Sequence, residues 1–386
     1  MTSLRVVLGN GSLARYPQGG GHWIIRIQYL LGMRALGHDP VLLELFWSTG
    51  NRDRDESLIA SFFDRLEKYG LKECGALLFW PQGATEQSLE LASAYGKTML
   101  QIREIIKSAD LLWNDCAGVR HPLLGMFKHR VLMDLDPGHL QVAALDVDMD
   151  IYDHHSFLTV GKKMQDPDCG VPTLGLRWQT CTPFVYLPMW NTSVAPAPER
   201  PFTSVTHWTW GELWFKEKIL STSKRQAYLR YVELPARTAR PFELAAGIDT
   251  EKEAEDRVSL RSFGWSIVDP WKVAHSPGDY QRYIQGSRAE ISCPKPIFRE
   301  LRTGWFSDRS VCYLASGRPV LAEDTGFSEY LPTGEGLLTF RNMQEAVDGV
   351  ARIDSDYNRH RRSARKIAQE FFDSGRCLEI ILGSCG

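Results

Sequence analysis

The sequence predicts an α/β protein with two parallel-sheet domains facing each other across a cleft, and three observations carry that prediction. At 386 residues the chain exceeds what one hydrophobic core usually organises. Short apolar strand-like runs alternate with helical patterns in both halves, as a parallel sheet flanked by helices requires. Between the halves, Asn191 to Pro201 reads Asn-Thr-Ser-Val-Ala-Pro-Ala-Pro-Glu-Arg-Pro, proline-rich and without periodicity, as a linker does.

The first half opens with a strand over Leu4 to Leu8 and a glycine-rich loop from Gly9 to Gly21. Ile24, Ile27, Leu31 and Ala35 then recur at helical spacing, Gly37 ends the helix, and Val41 to Leu45 reads as the next strand. Ala109 to Trp113 and Arg130 to Leu135 read as buried strands, the second running into the turn Asp136-Pro137-Gly138. After the linker come Phe202 to Trp208 (strand), Phe242 to Ala246 (strand), Glu251 to Leu260 (helix), Gly264 to Val268 (strand), Asp279 to Ile284 (helix) and Ala289 to Cys293 (strand). A helix from Ser307 and a strand over Pro319 to Ala322 follow, then a helix capped by Asn342 and Glu345 and a long basic helix from about Tyr357. The expected division is 1–197, 198–370 and a terminal segment 371–386 that returns to the first domain.

A net charge of −2, with 24% charged and 43% hydrophobic residues, gives no ground for disorder or nucleic-acid binding. The eight cysteines are dispersed, with no Cys-x-x-Cys pair and no metal spacing, so reduced thiols and no metal site are expected. The amino terminus shows no signal segment, and no apolar run approaches the length of a membrane span; a cytoplasmic location is the default expectation. His154 and His155 would point to opposite faces of a strand and so would not share an ion. Trp208 and Trp210 would share one face, either packing the sheet or stacking on a sugar, with packing favoured. Arg359, Arg361, Arg362, Arg365 and Lys366 read as a solvated helix face, an anionic membrane surface being the alternative.

Gly304-Trp-Phe-Ser-Asp-Arg309 is the densest functional signal. Ser307 is placed to cap a helix whose first amides and positive dipole end face the preceding loop, with Arg309 alongside. That arrangement suits a phosphate. Lys295, after the preceding strand, and Lys224 are further cations for it, and the alternative for Arg309 is a surface salt bridge to Asp308 or Glu290. Trp305 or Phe306 would stack on a base or fill the core.

Taken together, Gly19-Gly-Gly-His-Trp to Gly37-His38, and Tyr313 through Asp324-Thr-Gly326, resemble the GT-B glycosyltransferases of the "glycosyl transferases group 1" type. The Gly-Trp-Phe-Ser-Asp-Arg-Ser stretch is similar to one in bacterial glycosyltransferase-like proteins related at a distance to spore-maturation proteins of the CgeB type. The resemblance implies two Rossmann-like domains and transfer of a sugar from a nucleoside-diphosphate donor, UDP- or dTDP-linked, to an acceptor, with no metal or other cofactor. It implies donor contacts from Gly20, Gly21, Lys224, Lys295, Gly304, Trp305, Phe306, Ser307, Asp308, Arg309, Asp324, Thr325, Gly326 and Phe327. For catalysis it points to His22 as a general base, an unperturbed imidazole titrating near neutrality, with Asp136 (beside Asp134) as the next candidate. His22 as a structural helix-start residue and Asp136 as a turn former stay open. One departure stands out: the two glutamates that the group 1 enzymes place eight residues apart fall here at Gly304 and Cys312. A non-catalytic sugar- or protein-binding relative is therefore the alternative. So is an epimerase or nicotinamide enzyme, for which Gly9-Asn-Gly-Ser-Leu-Ala14 is a partial fingerprint and Glu44 the acidic partner.

Overall fold

Strands covered on both faces are buried along most of their length, and strands of that kind form the centres of two sheets. The computed structural model describes residues 3–11, 13–192, 195–248 and 250–383. The first sheet contains β1 (Arg5–Asn10), β2 (Asp39–Trp47), β3 (Gly75–Trp80), β4 (Ser93–Tyr95), β5 (Leu111–Asp115), β6 (Arg130–Asp134), β7 (Ser156–Thr159) and β8 (Trp178–Thr180). Its order is β4-β3-β2-β1-β5-β6-β7-β8, parallel except for the edge strand β4. The second lobe contributes β9 (Phe202–Thr206), a hairpin of β10 (Glu212–Phe215) and β11 (Lys218–Ser221), then β12 (Phe242–Ala246), β13 (Trp265–Val268), β14 (Ala289–Ser292), β15 (Val320–Glu323) and β16 (Leu337–Phe340). Its sheet is wholly parallel in the order β13-β12-β9-β14-β15-β16.

Both sheets therefore contain the doubly wound Rossmann order, and each reverses direction beside its first strand: at β1/β5 in one lobe and β9/β14 in the other. In such sheets ligands collect beyond the carboxyl ends of the strands at that reversal. The segments leaving those ends are the glycine-rich loop after Asn10, Cys116-Ala117, Leu135–Gly138, His207, and Cys293–Lys295.

The lobes share one hydrophobic core rather than merely touching. It runs from Val6, Leu8 and Trp113 through Ile24, Ile27 and Met33 of the Gly20–Ala35 helix to Tyr280, Ile284, Val311 and Leu314 of the second lobe. The Ser374–Gly383 helix lies back on the Gly20–Ala35 helix, where a Cβ on Gly32 would come within 3.0 Å of Ser374 and Leu378. Val185 N–H donates to Phe372 O and Ser374 N–H to Val185 O, fastening this returning segment to the chain after β8.

Several local expectations are corrected. β9 stops at Thr206, so Trp208 and Trp210 do not share a strand face. Trp208 is buried with its Nε1 donating to Asp256 at 3.0 Å, whereas Trp210 is 59% exposed. The basic stretch of the Tyr357–Phe371 helix is only partly a solvated face: Arg361 donates to Thr192 O at 2.9 Å and Arg365 to Trp190 O at 3.0 Å, so the helix staples the linker. His154 is buried against Asn114, while His155 stacks on His129. The described cysteines are thiols; Cys385 lies outside the described residues.

A close interlobe backbone approach lies at Gly20, whose N–H donates to Ala274 O at 3.0 Å. A Cβ there would lie 2.4 Å from Ala274 O and from Ser276 O, and backbone atoms cannot rotate away. Gly20→Ala is expected to cost about 1–3 kcal/mol in urea denaturation or to part the lobes, enlarging the radius of gyration in solution scattering. A variant unchanged in both measurements contradicts this packing.

Candidate active-site cleft

Six side chains from the two lobes converge beyond the facing carboxyl ends. His22 and Asp136 come from the first lobe; His207, Lys224, Lys295 and Asp308 come from the second. Solvent reaches all six, although protein surrounds them, which defines a cleft rather than a surface patch. Lys295 Nζ pairs with Asp136 Oδ2 across the gap at 2.9 Å, and the rings of His22 and His207 meet edge to face at 5.9 Å. Trp305 closes one wall: its Nε1 donates to Leu135 O at 3.3 Å, its ring packs on Phe298, and Lys224 Nζ stands 5.8 Å from the ring centre.

The cleft sets two lysines, Lys224 and Lys295, against the carboxylates of Asp136 and Asp308. Lys224 forms no ion pair among the described residues, and burial, then the neighbouring Arg309 and Lys295, pull its pKa down to about 7. Glu290 and Asp308 offset this only in part, so the lysine is not held firmly protonated. Burial followed by the charge of Arg26 lowers His22 below the ordinary imidazole range, Asp308 and Asp136 partly offsetting this, so the ring is neutral at pH 7 and able to accept a proton. His207 is pushed down to about 4, again mainly by burial.

The other predicted residues are not equally disposed. Ser307 caps the Asp308–Ala315 helix, its Oγ accepting Arg309 N–H at 3.2 Å; Asp308 Oδ1 accepts the same N–H at 2.7 Å. The chain's own side chains thus already engage one amide of the expected phosphate mouth, and Asp308 brings a negative charge to it. Arg309 does not reach the cleft as a free cation: its guanidinium is buried, donating to Glu290, to Val205 O at 2.9 Å and to Ser292 Oγ at 2.9 Å. The anticipated Glu290 pair exists, but in the interior rather than at the surface.

Gly20 and Gly21 face protein instead of a donor: Gly20 meets Ala274 and Ser276, and a Cβ on Gly21 would touch the Tyr280 ring at 3.0 Å. Gly304 and Gly326, both at positive φ, receive Lys163 of the first lobe, which would lie 2.9 Å and 2.6 Å from their respective Cβ positions. Lys163 is 2% exposed and paired with Asp166, Asp168 and Glu329. Phe306 stacks on Phe372 and meets Phe327 edge to face, so both belong to the core. Asp324 holds Gly326 N–H, Ser328 and Arg341, and Thr325 Oγ1 donates to Trp305 O; these two shape their turn. Asp134 is buried against Gln141 and Thr159, with burial raising it to about 6. Glu44 is buried too, accepting from Asn10 Nδ2 at 2.8 Å and Ala14 N–H at 2.9 Å. It tethers the first loop instead of presenting a carboxylate to a dinucleotide ribose.

Sequence reasoning missed His207, Arg26 and Asp115. His207 directly follows the first strand of its sheet, so the rule for parallel sheets pointed to it. Arg26 pairs with Asp115 at 2.7 Å beneath His22, and after Asp115 both Cys116 and Ala117 adopt positive φ, a strained turn at the reversal of the first sheet.

No family model and no curated protein matches the chain. Solved structures do. Anabaena HepE in complex with UDP and glucose superposes with a TM-score of 0.61 at 13% identity, covering 99% of this chain and 100% of that one. An α-glucosyltransferase with UDP and a 13-mer DNA gives 0.60 at 9% identity over 100% of both chains. A glycosyltransferase from Rickettsia africae gives 0.55 at 11% identity over 100% of this chain and 98% of that one. At such identities the likeness is one of fold: two Rossmann-like domains in the GT-B arrangement of glycosyltransferases.

The Arg309–Glu290 pair yields a direct test. Removing one partner of a buried ion pair costs about 3–5 kcal/mol, whereas replacing both with neutral groups of similar size costs far less. In urea denaturation Arg309→Met is expected to be strongly destabilising and Arg309→Met with Glu290→Gln to recover most of the loss. A stable Arg309→Met that only weakens ligand binding contradicts this assignment.

Proposed function

We propose that the chain transfers a glycosyl group from a nucleoside-diphosphate sugar to an acceptor hydroxyl, without a metal ion. The observation that carries this reading is the convergence of Lys224 and Lys295 in an interlobe cleft opposite a neutral His22. When the sugar bond breaks, negative charge grows on the departing diphosphate, and fixed cations in an enclosed site stabilise it. Lys224 and Lys295 take that role, Lys295 exchanging Asp136 for the phosphate, and the first amides of the Asp308–Ala315 helix assist once Asp308 turns aside. Trp305 offers the flat apolar wall. His22 accepts the acceptor proton, with Asp136 and Asp308 stabilising the imidazolium that forms. The HepE and α-glucosyltransferase structures contain UDP, which favours uridine as the donor base.

A second reading, binding without transfer, is favoured by one feature: Lys163 packs against Gly304 and Gly326, two of the residues from which the group 1 resemblance implies donor contacts. Release of UDP from a UDP-sugar panel separates the two, since only transfer or hydrolysis produces it.

A bound diphosphate restores the charge on Lys224, so binding is linked to protonation. Below pH 7 the lysine is already charged; above it, binding takes up a proton and affinity falls as pH rises, by at most about tenfold per unit. Calorimetry of UDP at pH 8 in buffers of different ionisation enthalpy is expected to show uptake approaching one proton. Lys224→Arg is expected to abolish that uptake, and Lys224→Ala to weaken UDP at least about tenfold. Unaltered UDP affinity in Lys224→Ala overturns the assignment.

A further inference from the structure

A groove of about 720 Å³ opens on the interlobe seam beside the close contact at Gly20, apart from the cleft. One wall is the end of the first-lobe helix Arg52–Glu67 and the turn after it, presenting Asp64, Arg65 and Lys68; the other is His275 to Gly278 of the second lobe. Arg65 is 9% exposed. Its Nη2 donates to His275 O at 3.3 Å, its guanidinium lies 5.6 Å from the centre of the Trp23 ring, and its Nε is buried without a hydrogen-bond partner among the described residues. An orphaned donor on a buried cation that lacks an ion-pair partner among the described residues is costly unless an acceptor with negative charge completes it.

The second lobe supplies a matching donor. Ser276 caps the ten-residue helix Pro277–Gly286: its Oγ takes Asp279 N–H at 3.1 Å and its carbonyl takes Tyr280 N–H at 2.9 Å. Pro277 has no N–H, which leaves that of Gly278 at the positive end of the helix dipole, on the groove wall. The carboxylate of Asp279 is engaged by Ser276 and Arg282. Arg65 and Lys68 then outweigh Asp64 among the charges facing the groove.

We propose that this groove is a second anion site, which takes a phosphate group between Arg65 and Lys68 of the first lobe and Gly278 N–H of the second. The volume exceeds a bare phosphate and accommodates the organic part of a small phosphomonoester. Because the contacts come from both lobes, occupancy ties the lobes together. The site owes nothing to the cleft chemistry and stands whether or not the chain transfers sugars.

Calorimetry with inorganic phosphate and with glucose 6-phosphate, on the full chain, tests it. Saturable binding is expected in the wild type and in Lys224→Met. It is expected to weaken by about tenfold or more in Arg65→Met and in Lys68→Glu, the latter an exposed change that leaves the core intact. Tighter binding of one probe identifies free phosphate or a phosphomonoester as the occupant. A tungstate-soaked crystal is expected to show its anomalous peak between residues 65 and 278. The proposal is overturned if neither probe binds, if Lys68→Glu leaves the affinity unchanged in the Lys224→Met background, or if binding disappears in Lys224→Met alone.

Discussion

Two backbones meet at Gly20 with no room for a single carbon between them, and the rest of the architecture depends on that approach. It seats the Gly20–Ala35 helix against the second lobe, so that the carboxyl ends of both parallel sheets look into one cleft. It also delivers His22, two residues on, to the ring of His207. A side chain at residue 20 would separate these groups. The returning Ser374–Gly383 helix, packed over Gly32, holds the same helix from the other end.

Burial sorts the cations of the second lobe into two kinds. Arg309 has a full set of interior acceptors and is locked in place as a structural ion pair. Lys224 has no ion-pair partner among the described residues; Glu290 and Asp308 offset its burial and positive neighbours only in part, and it gives up much of its hold on its proton. A site that keeps one cation under-compensated is poised for a negatively charged ligand, because the ligand supplies what the protein withholds. Lys295 is intermediate: it has a partner, but that partner is Asp136 of the opposite lobe, so the pair doubles as a lobe-to-lobe contact.

Much of the fold was legible because its signals are local. Apolar runs gave β2, β12 and β14 to within a few residues, and Ser307 and Asn342 cap the helices they were expected to cap. The candidate site was legible only in part. Glycines mark close approach without saying to what, and at Gly20, Gly304 and Gly326 the neighbour is protein. Arg309 was ambiguous for the same reason: whether a cation points to ligand or to Glu290 depends on a strand pairing absent from local sequence. For Phe306 stacking on a base and filling the core were both open, and Phe372, from the returning segment, decides for the core. His207 lay at a strand end that topology, once known, marks as a ligand position. The hairpin of β10 and β11 and the staple from Arg361 to the linker have no periodic signature at all.

The central claim is one of place: the cleft cations, and not another part of either lobe, hold the diphosphate. A crystal structure of the full chain with UDP measures this directly. The account predicts that the diphosphate lies within hydrogen-bond reach of Lys224 and Lys295, with the uracil toward Trp305 and His22 across the gap. A nucleotide bound with its phosphates away from both lysines, or a cleft left empty at saturating UDP, contradicts it.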